Sequence, residues 1–276
     1  MLLTALDFIT AALYLLASIT AWSQLRPAAG AHDHGKRDKV RLYQVFLWLA
    51  IAAHAGALSD ALAPGDGFNI GFSHAISLIA WLSALAYVAL SRDVRFMRLA
   101  ALYLAPFAVA AALLPTLLPA NHIVVYGGWT AKLHIVVAIL AYALFSVAAL
   151  HALLMMFLDR SLHAQNLDRL DNNLPPLLSI EKLLIRLLGF AFILLTITLI
   201  SGIFFSEALF GKAFQVTYKT VFAFMSWFIF GGLLAGHWKL GWRGMVLVRW
   251  TLIGFVMLLL SYIGSKFVLE IILKRA

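Results

Sequence analysis

The side chains able to do chemistry in this sequence are nine histidines, His32, His34, His54, His74, His122, His134, His151, His163 and His237, and no cysteine accompanies them. Without a thiol there is no thiolate metal site, no disulfide exchange and no covalent c-type haem attachment, and imidazole is left as the one strong neutral metal ligand. His32, His34 and His163 fall in polar stretches, and the HDH run at 32–34 is too short for a metal-binding tract. They are read as solvated, and His122 as a surface residue. Asp7, Asp60, Asp66 and Glu207 are single acids with no second acid at a matched depth, whereas a proton or cation pathway strings several through a bundle. No interrupted helix pair of the transporter kind, P-loop, nucleophile elbow or HExxH zinc motif is present. Nothing here reads as an enzyme active site.

The elements that must position these histidines follow from composition. Of 276 residues, 63% are hydrophobic and 12% charged, with a mean hydropathy of +0.95, which excludes an ordinary water-soluble domain. Apolar windows at about 3–22, 42–60, 72–90, 97–114, 131–157, 183–205, 218–237 and 246–268 are each close to the ~20 residues that span a bilayer as a helix. The polar stretches 23–41 and 159–181 are too short to fold alone. The expectation is an all-α polytopic membrane protein, a bundle of eight transmembrane helices forming a single domain over 1–276. Pro115 and Pro119 punctuate the fourth outer boundary, and Ser179 reads as an N-cap with Glu181 in the first turn behind it.

Charge sets the orientation. One set of alternate loops holds fifteen Lys and Arg, from Arg26 to Arg249, and the other, with both chain ends, holds six. Basic residues collect on the cytoplasmic side, so both termini are expected outside. The net charge of +9 then reflects loop bias and calls for no nucleic-acid partner.

In this frame five histidines are intramembrane, where an ionisable group is a functional hypothesis by default. By helix rise, His54 falls near the middle of helix two, His74 and His134 near outer ends, and His151 and His237 near inner ends. A flat macrocycle needs small residues beside its axial ligand. His54 lies in AAHAGAL, and His237 follows GGLLAG, where Gly232 and Gly236 form a small face. The alternative for each is close helix packing around a neutral imidazole bonded to a backbone carbonyl. His54 and His237 differ in expected depth by about 10 Å, so His74, His134 or His151 stay open as replacements for either partner.

Four segments, AAHAGAL at 52–58, LHIVVAILAYALF at 133–145, LPPLLSIEKL at 174–183 and GHWKLGWRG at 236–244, in this order and spacing resemble the cytochrome c assembly protein family of CcsA, CcmC and HemX relatives, most closely its YpjD-like inner-membrane branch. The resemblance implies a haem-binding integral membrane protein of the cytoplasmic (inner) membrane, holding a non-covalent b-type haem. It implies His54 and His237 as axial ligands of the haem iron, and His134 as a ligand of a possible second, outer haem. The family's tryptophan-rich WWD segment is absent, since 207–219 reads EALFGKAFQVTYK, and the tail GSKFVLEIILKRA lacks the histidine expected after helix eight. Presentation of haem to an apocytochrome is therefore not expected. The partners expected are the lipid bilayer, haem and other inner-membrane proteins. The second reading is a membrane adaptor or transport accessory subunit that kept the fold and lost haem handling.

Overall fold

The structure, a computed structural model, describes residues 2–23, 34–59, 67–69, 71–90, 94–119, 123–125, 129–163, 176–204, 206, 215–264 and 267. In chain order the elements are α1 (Leu2–Ser23), α2 (His34–Ala57), β1 (Gly67–Asn69), α3 (Phe72–Leu90), α4 (Val94–Leu99), α5 (Ala105–Leu117), β2 (Ile123–Val125), α6 (Trp129–His163), α7 (Leu177–Phe204), α8 (Tyr218–Leu240) and α9 (Met245–Leu259). A π-turn at Ala100–Leu104 joins α4 to α5 in one continuous rod, and a second, Leu260–Gly264, extends α9. The described residues thus form eight helical rods. Seven are long and apolar enough to cross a membrane. In the remaining one, α2, the apolar stretch Leu42–Ala57 rises about 24 Å, short of a ~30 Å hydrocarbon core. Among the described residues the one departure from helix is an antiparallel pairing of β1 with β2, Gly67 opposite Val125 and Asn69 opposite Ile123. HDH at 32–34 lies outside the described residues apart from the backbone of His34, as do His122, the loop 207–214, the tail beyond 267 and the side chain of His163.

The chain forms two compact units: residues 1–63, 73–119 and 168–175 in one, and 64–72, 120–167 and 176–276 in the other. In the first unit, α1 packs on α2 and α5. Thr10, Tyr14, Ala17 and Ala21 form a fully buried stripe along α1, and small residues at helical spacing let backbones approach where apolar lipid offers no hydrophobic drive. The opposite face of α1 leaves Phe8 56% and Ile19 55% exposed, as a lipid-facing surface requires. Pro106 cannot donate a backbone hydrogen bond, and the π-turn before it leaves the Ala101 carbonyl to be satisfied by the Ser18 hydroxyl of α1 at 2.7 Å.

In the second unit, α6 packs on α7 and α9, and α8 on α9 and α7. Phe145 of α6 stacks on Phe230 of α8, centroids 4.0 Å apart. Gly254 of α9 makes room for this pair, because a Cβ there would stand 2.8 Å from the Phe230 ring.

Two boundary expectations are corrected. Pro115 does not end α5, which runs to Leu117; a proline in the last turn removes a single bond, and the Thr116 hydroxyl beside it donates to Asp7 at 2.6 Å. Ser179 is no N-cap. The helix begins at Leu177, and the Ser179 amide donates to the Pro176 carbonyl at 2.8 Å, so the proline that cannot continue a preceding ladder sets the start instead.

Candidate functional site

The three histidines singled out by the sequence stand in different local chemistries. His54 belongs to the first unit and His134 and His237 to the second.

His54 lies in the last turn of α2 and not at mid-helix, because the helix starts at His34 inside the polar segment and closes at Ala57. Its ring is 1% exposed. Nε2 meets Ser77 Oγ of α3 at 2.9 Å and Nδ1 meets the Tyr14 hydroxyl of α1 at 3.3 Å, with the Tyr14 ring edge-on at 5.7 Å. Both nitrogens are engaged by hydroxyls, so ligation of a metal by His54 requires either the Ser77 or the longer Tyr14 contact to open. The neighbouring Gly56 has no atom within 4 Å of where a Cβ would stand; helix packing therefore does not explain that glycine.

His134, in the second turn of α6, is fixed through Nδ1 to Ser201 Oγ of α7 at 2.7 Å. Ser201 Oγ also reaches the Thr198 carbonyl at 3.0 Å; with its hydroxyl hydrogen spent there, His134 Nδ1 is the donor of the 2.7 Å bond, and Nδ1 is the nitrogen that orients the ring. His134 lines a cavity of about 390 Å3 with Gly202, Gln215, Lys219, Phe224 and Ser261, within the size range of small-molecule and cofactor sites. Trp129, at the start of α6, is 76% exposed, consistent with an interfacial belt.

His237 sits in the last turn of α8, and the GHWKLGWRG segment folds into a corner around it. Gly241 takes the left-handed conformation, φ 69°, and its amide donates to the His237 carbonyl at 3.2 Å, a C-terminal cap that glycine adopts without steric penalty. A Cβ at Gly236 would overlap the Trp242 ring. The His237 ring donates from Nδ1 to the Trp242 carbonyl at 2.7 Å, since a carbonyl only accepts, and this places the lone pair on Nε2. Gly244, φ 57°, donates its amide to Glu181 of α7 at 3.2 Å. His237 and Glu181 line a second cavity, of about 500 Å3, together with Lys182, Arg186 and Arg243.

His134 and His237 do not converge. His134 is tied to Ser201 and His237 shares a cavity with Glu181, and these two positions on α7 are about 30 Å apart by helix rise. His134 is thereby removed as a substitute partner for His237. His151, 3% exposed, donates from Nδ1 to the Val147 carbonyl of its own helix at 3.0 Å, the same tautomer as His237, but lines neither of the two cavities. His74 interacts electrostatically with Asp7, whose carboxylate accepts from Thr116. Among the described residues no three His, Asp or Glu side chains cluster closely enough to cage a metal ion.

Sequence reasoning missed the hydroxyl partners. Ser77, Tyr14 and Ser201 are polar side chains inside apolar helices, a signal that was present but that gives no clue to which histidine each meets. Asp7 was read as an isolated acid, and its pairing with Thr116 spans 109 residues.

The profile of the Cytochrome C assembly protein family matches residues 40–273. The chain is 32% identical over 228 residues to the inner membrane protein YpjD of Escherichia coli K12, covering 81% of this chain and 85% of that one. It is 30% identical over 275 residues to an uncharacterized 28.8 kDa protein of Azospirillum brasilense, covering 93% and 97%. A shorter similarity, 33% over 88 residues, covers 32% of this chain and 28% of the cytochrome c biogenesis protein CcsA of Prochlorococcus marinus. With its apolar helical rods and a match running through most of its length, the chain belongs to the cytochrome c assembly protein family of multi-pass membrane proteins.

Proposed function

We propose that this protein is a haem-handling integral protein of the inner membrane that holds non-covalent b-type haem through intramembrane histidines, with His134 and His237 as ligating imidazoles of two separate sites. The observation that carries the reading is the shared anchoring: each ring is hydrogen-bonded through Nδ1 to a fixed oxygen and borders a cavity. Family membership and the names of the relatives, an inner membrane protein and a cytochrome c biogenesis protein, support the choice of haem and of compartment. Bound haem would supply one-electron chemistry or travel as cargo, according to its axial ligands. The protein's own residues orient the imidazoles, and Lys219 and Gln215 at the His134 cavity offer a cation and an amide to an acidic ligand edge. His54, also a ligand by resemblance, joins only where Ser77 or Tyr14 yields a ring nitrogen. The protein acts as a carrier and not as an enzyme, working as one transmembrane domain with both termini outside.

Protein purified in mild detergent should show a b-type band in reduced-minus-oxidised spectra, and His134→Ala and His237→Ala should each lower haem content. No band, with added haemin also failing to bind, refutes the reading. The second reading, an adaptor that has lost haem handling, is favoured by His54, whose two nitrogens are both satisfied by hydroxyls. In that case the double variant His54→Ala/His237→Ala keeps its cellular phenotype.

A further inference from the structure

The cavity beside His237 has a charge balance that orienting an imidazole does not account for. It is lined by Lys182 and Arg186 of α7 and by Arg243 of the α8–α9 corner, with Glu181 as its one carboxylate. Glu181 is already engaged by the Gly244 amide. Lys182 and Arg186, both exposed, stand one turn apart on the same helix face, where like charges repel. Arg243, also exposed, approaches from a different element, held by a corner whose two positive-φ glycines fix its path. Three cations from two elements around a space of about 500 Å3 form a receptor for a multiply bonded anion.

The helix dimensions say where that anion sits. The 28 residues of α7 rise about 42 Å, some 12 Å more than the hydrocarbon core. Its far end is apolar and lipid-facing, Phe204 being 78% exposed, so the excess lies at the Leu177 end and puts Lys182 at headgroup depth, with Arg186 one turn deeper and its long side chain able to snorkel to the same level. The surface around the cavity continues as lipid-facing side chains: Leu178 is 54%, Trp238 71%, Leu240 71% and Trp250 39% exposed. Tryptophan beside a basic cluster marks the membrane interface, and basic pockets between transmembrane helices bind anionic headgroups.

We propose that Lys182, Arg186 and Arg243 form a binding site for the phosphate headgroup of an acidic phospholipid, its acyl chains lying against the exposed apolar side chains beside the cavity. Arg186 and Arg243 bring planar guanidinium forks suited to phosphate oxygens. Lys182 adds a point charge. The site shares its cavity with His237, and the haem arm of the test below separates the two occupants.

The test is native mass spectrometry of the purified protein titrated with phosphatidylglycerol and with phosphatidylcholine, and with inorganic phosphate as a competitor. Wild type should retain one phosphatidylglycerol in preference to phosphatidylcholine. The variant Lys182→Gln/Arg186→Gln/Arg243→Gln should bind it about a hundredfold more weakly, at roughly fivefold per removed cation. Lys239→Gln, outside the cavity, should bind as wild type does, and Arg186→Lys, which keeps the charge, should lose less than Arg186→Gln. Helical content by circular dichroism shows that the triple variant is folded. Equal retention by wild type and the triple variant overturns the proposal. So does equal affinity for the two lipids, or displacement of phosphatidylglycerol by inorganic phosphate at matched concentration, which would mark a free-phosphate site. If the triple variant loses haem absorbance and keeps the lipid, the cations serve a haem carboxylate, and the lipid proposal falls while the haem reading stands.

Discussion

Gly232 and Gly236 lie one helical turn apart on α8 and read identically in the sequence, yet a methyl group added at each meets different surroundings. At Gly232 nothing stands within 4 Å of the new Cβ, whereas at Gly236 it overlaps the Trp242 ring. Gly232→Ala should therefore show only the helix-propensity gain, up to about 1 kcal/mol of stabilisation. Gly236→Ala starts from the same gain and must offset overpacking of roughly 1–3 kcal/mol. Displacing Trp242 also breaks the 2.7 Å bond from His237 Nδ1 to its carbonyl, a further loss of about 1 kcal/mol. The net expectation is destabilisation by about 1–3 kcal/mol, or roughly 2–4 °C in Tm for each kcal/mol. Thermal unfolding of the detergent-purified variants, followed by circular dichroism, measures the difference. Trp242 stacks near-parallel on Trp250 at 6.3 Å, so Gly236→Ala should also change the near-ultraviolet signal and Gly232→Ala should not. Equal Tm values, or a Gly236→Ala protein more stable than wild type, would refute the close-approach account of the corner.

Ser201→Ala removes the oxygen that receives the His134 Nδ1 hydrogen; if the imidazole is a ligand, haem titration should show affinity falling about 10–100-fold, and unchanged affinity would show that this bond orients nothing. Ser77→Ala strips His54 Nε2 of its partner and should cost about 1–3 kcal/mol, the range for a buried group left unsatisfied; an unchanged urea or thermal midpoint would contradict the bond. Thr116→Val should cost a similar amount by leaving the buried Asp7 carboxyl without its 2.6 Å donor, measured in the same way. A reporter enzyme fused after Ala276 should be active outside the cytoplasmic membrane, from the fifteen-to-six distribution of basic residues. Activity inside would overturn the orientation.

The sequence alone determined that this chain crosses a membrane many times, and nearly where. Unbroken apolar stretches leave the backbone no partner but itself in lipid, so helices are forced wherever such a stretch runs, and the rods at Phe72–Leu90 and Tyr218–Leu240 begin where hydropathy placed them. It also carried the family, because the order and spacing of four motifs are specific where each alone is weak. What it could not supply was the partner of each polar side chain. Pattern along one helix gives a face, but the identity of the neighbour depends on rotation and register between helices distant in sequence, as with His134 and Ser201, 67 residues apart. Tertiary packing alone separated two glycines of one motif into an open position and an indispensable one, and moved His54 from mid-helix to a terminal turn. It also showed that much of GHWKLGWRG is the geometry of a corner: Gly236 clears Trp242, Gly241 caps a helix, Gly244 reaches Glu181, and His237 is held in one tautomer because the chain turns back on itself there.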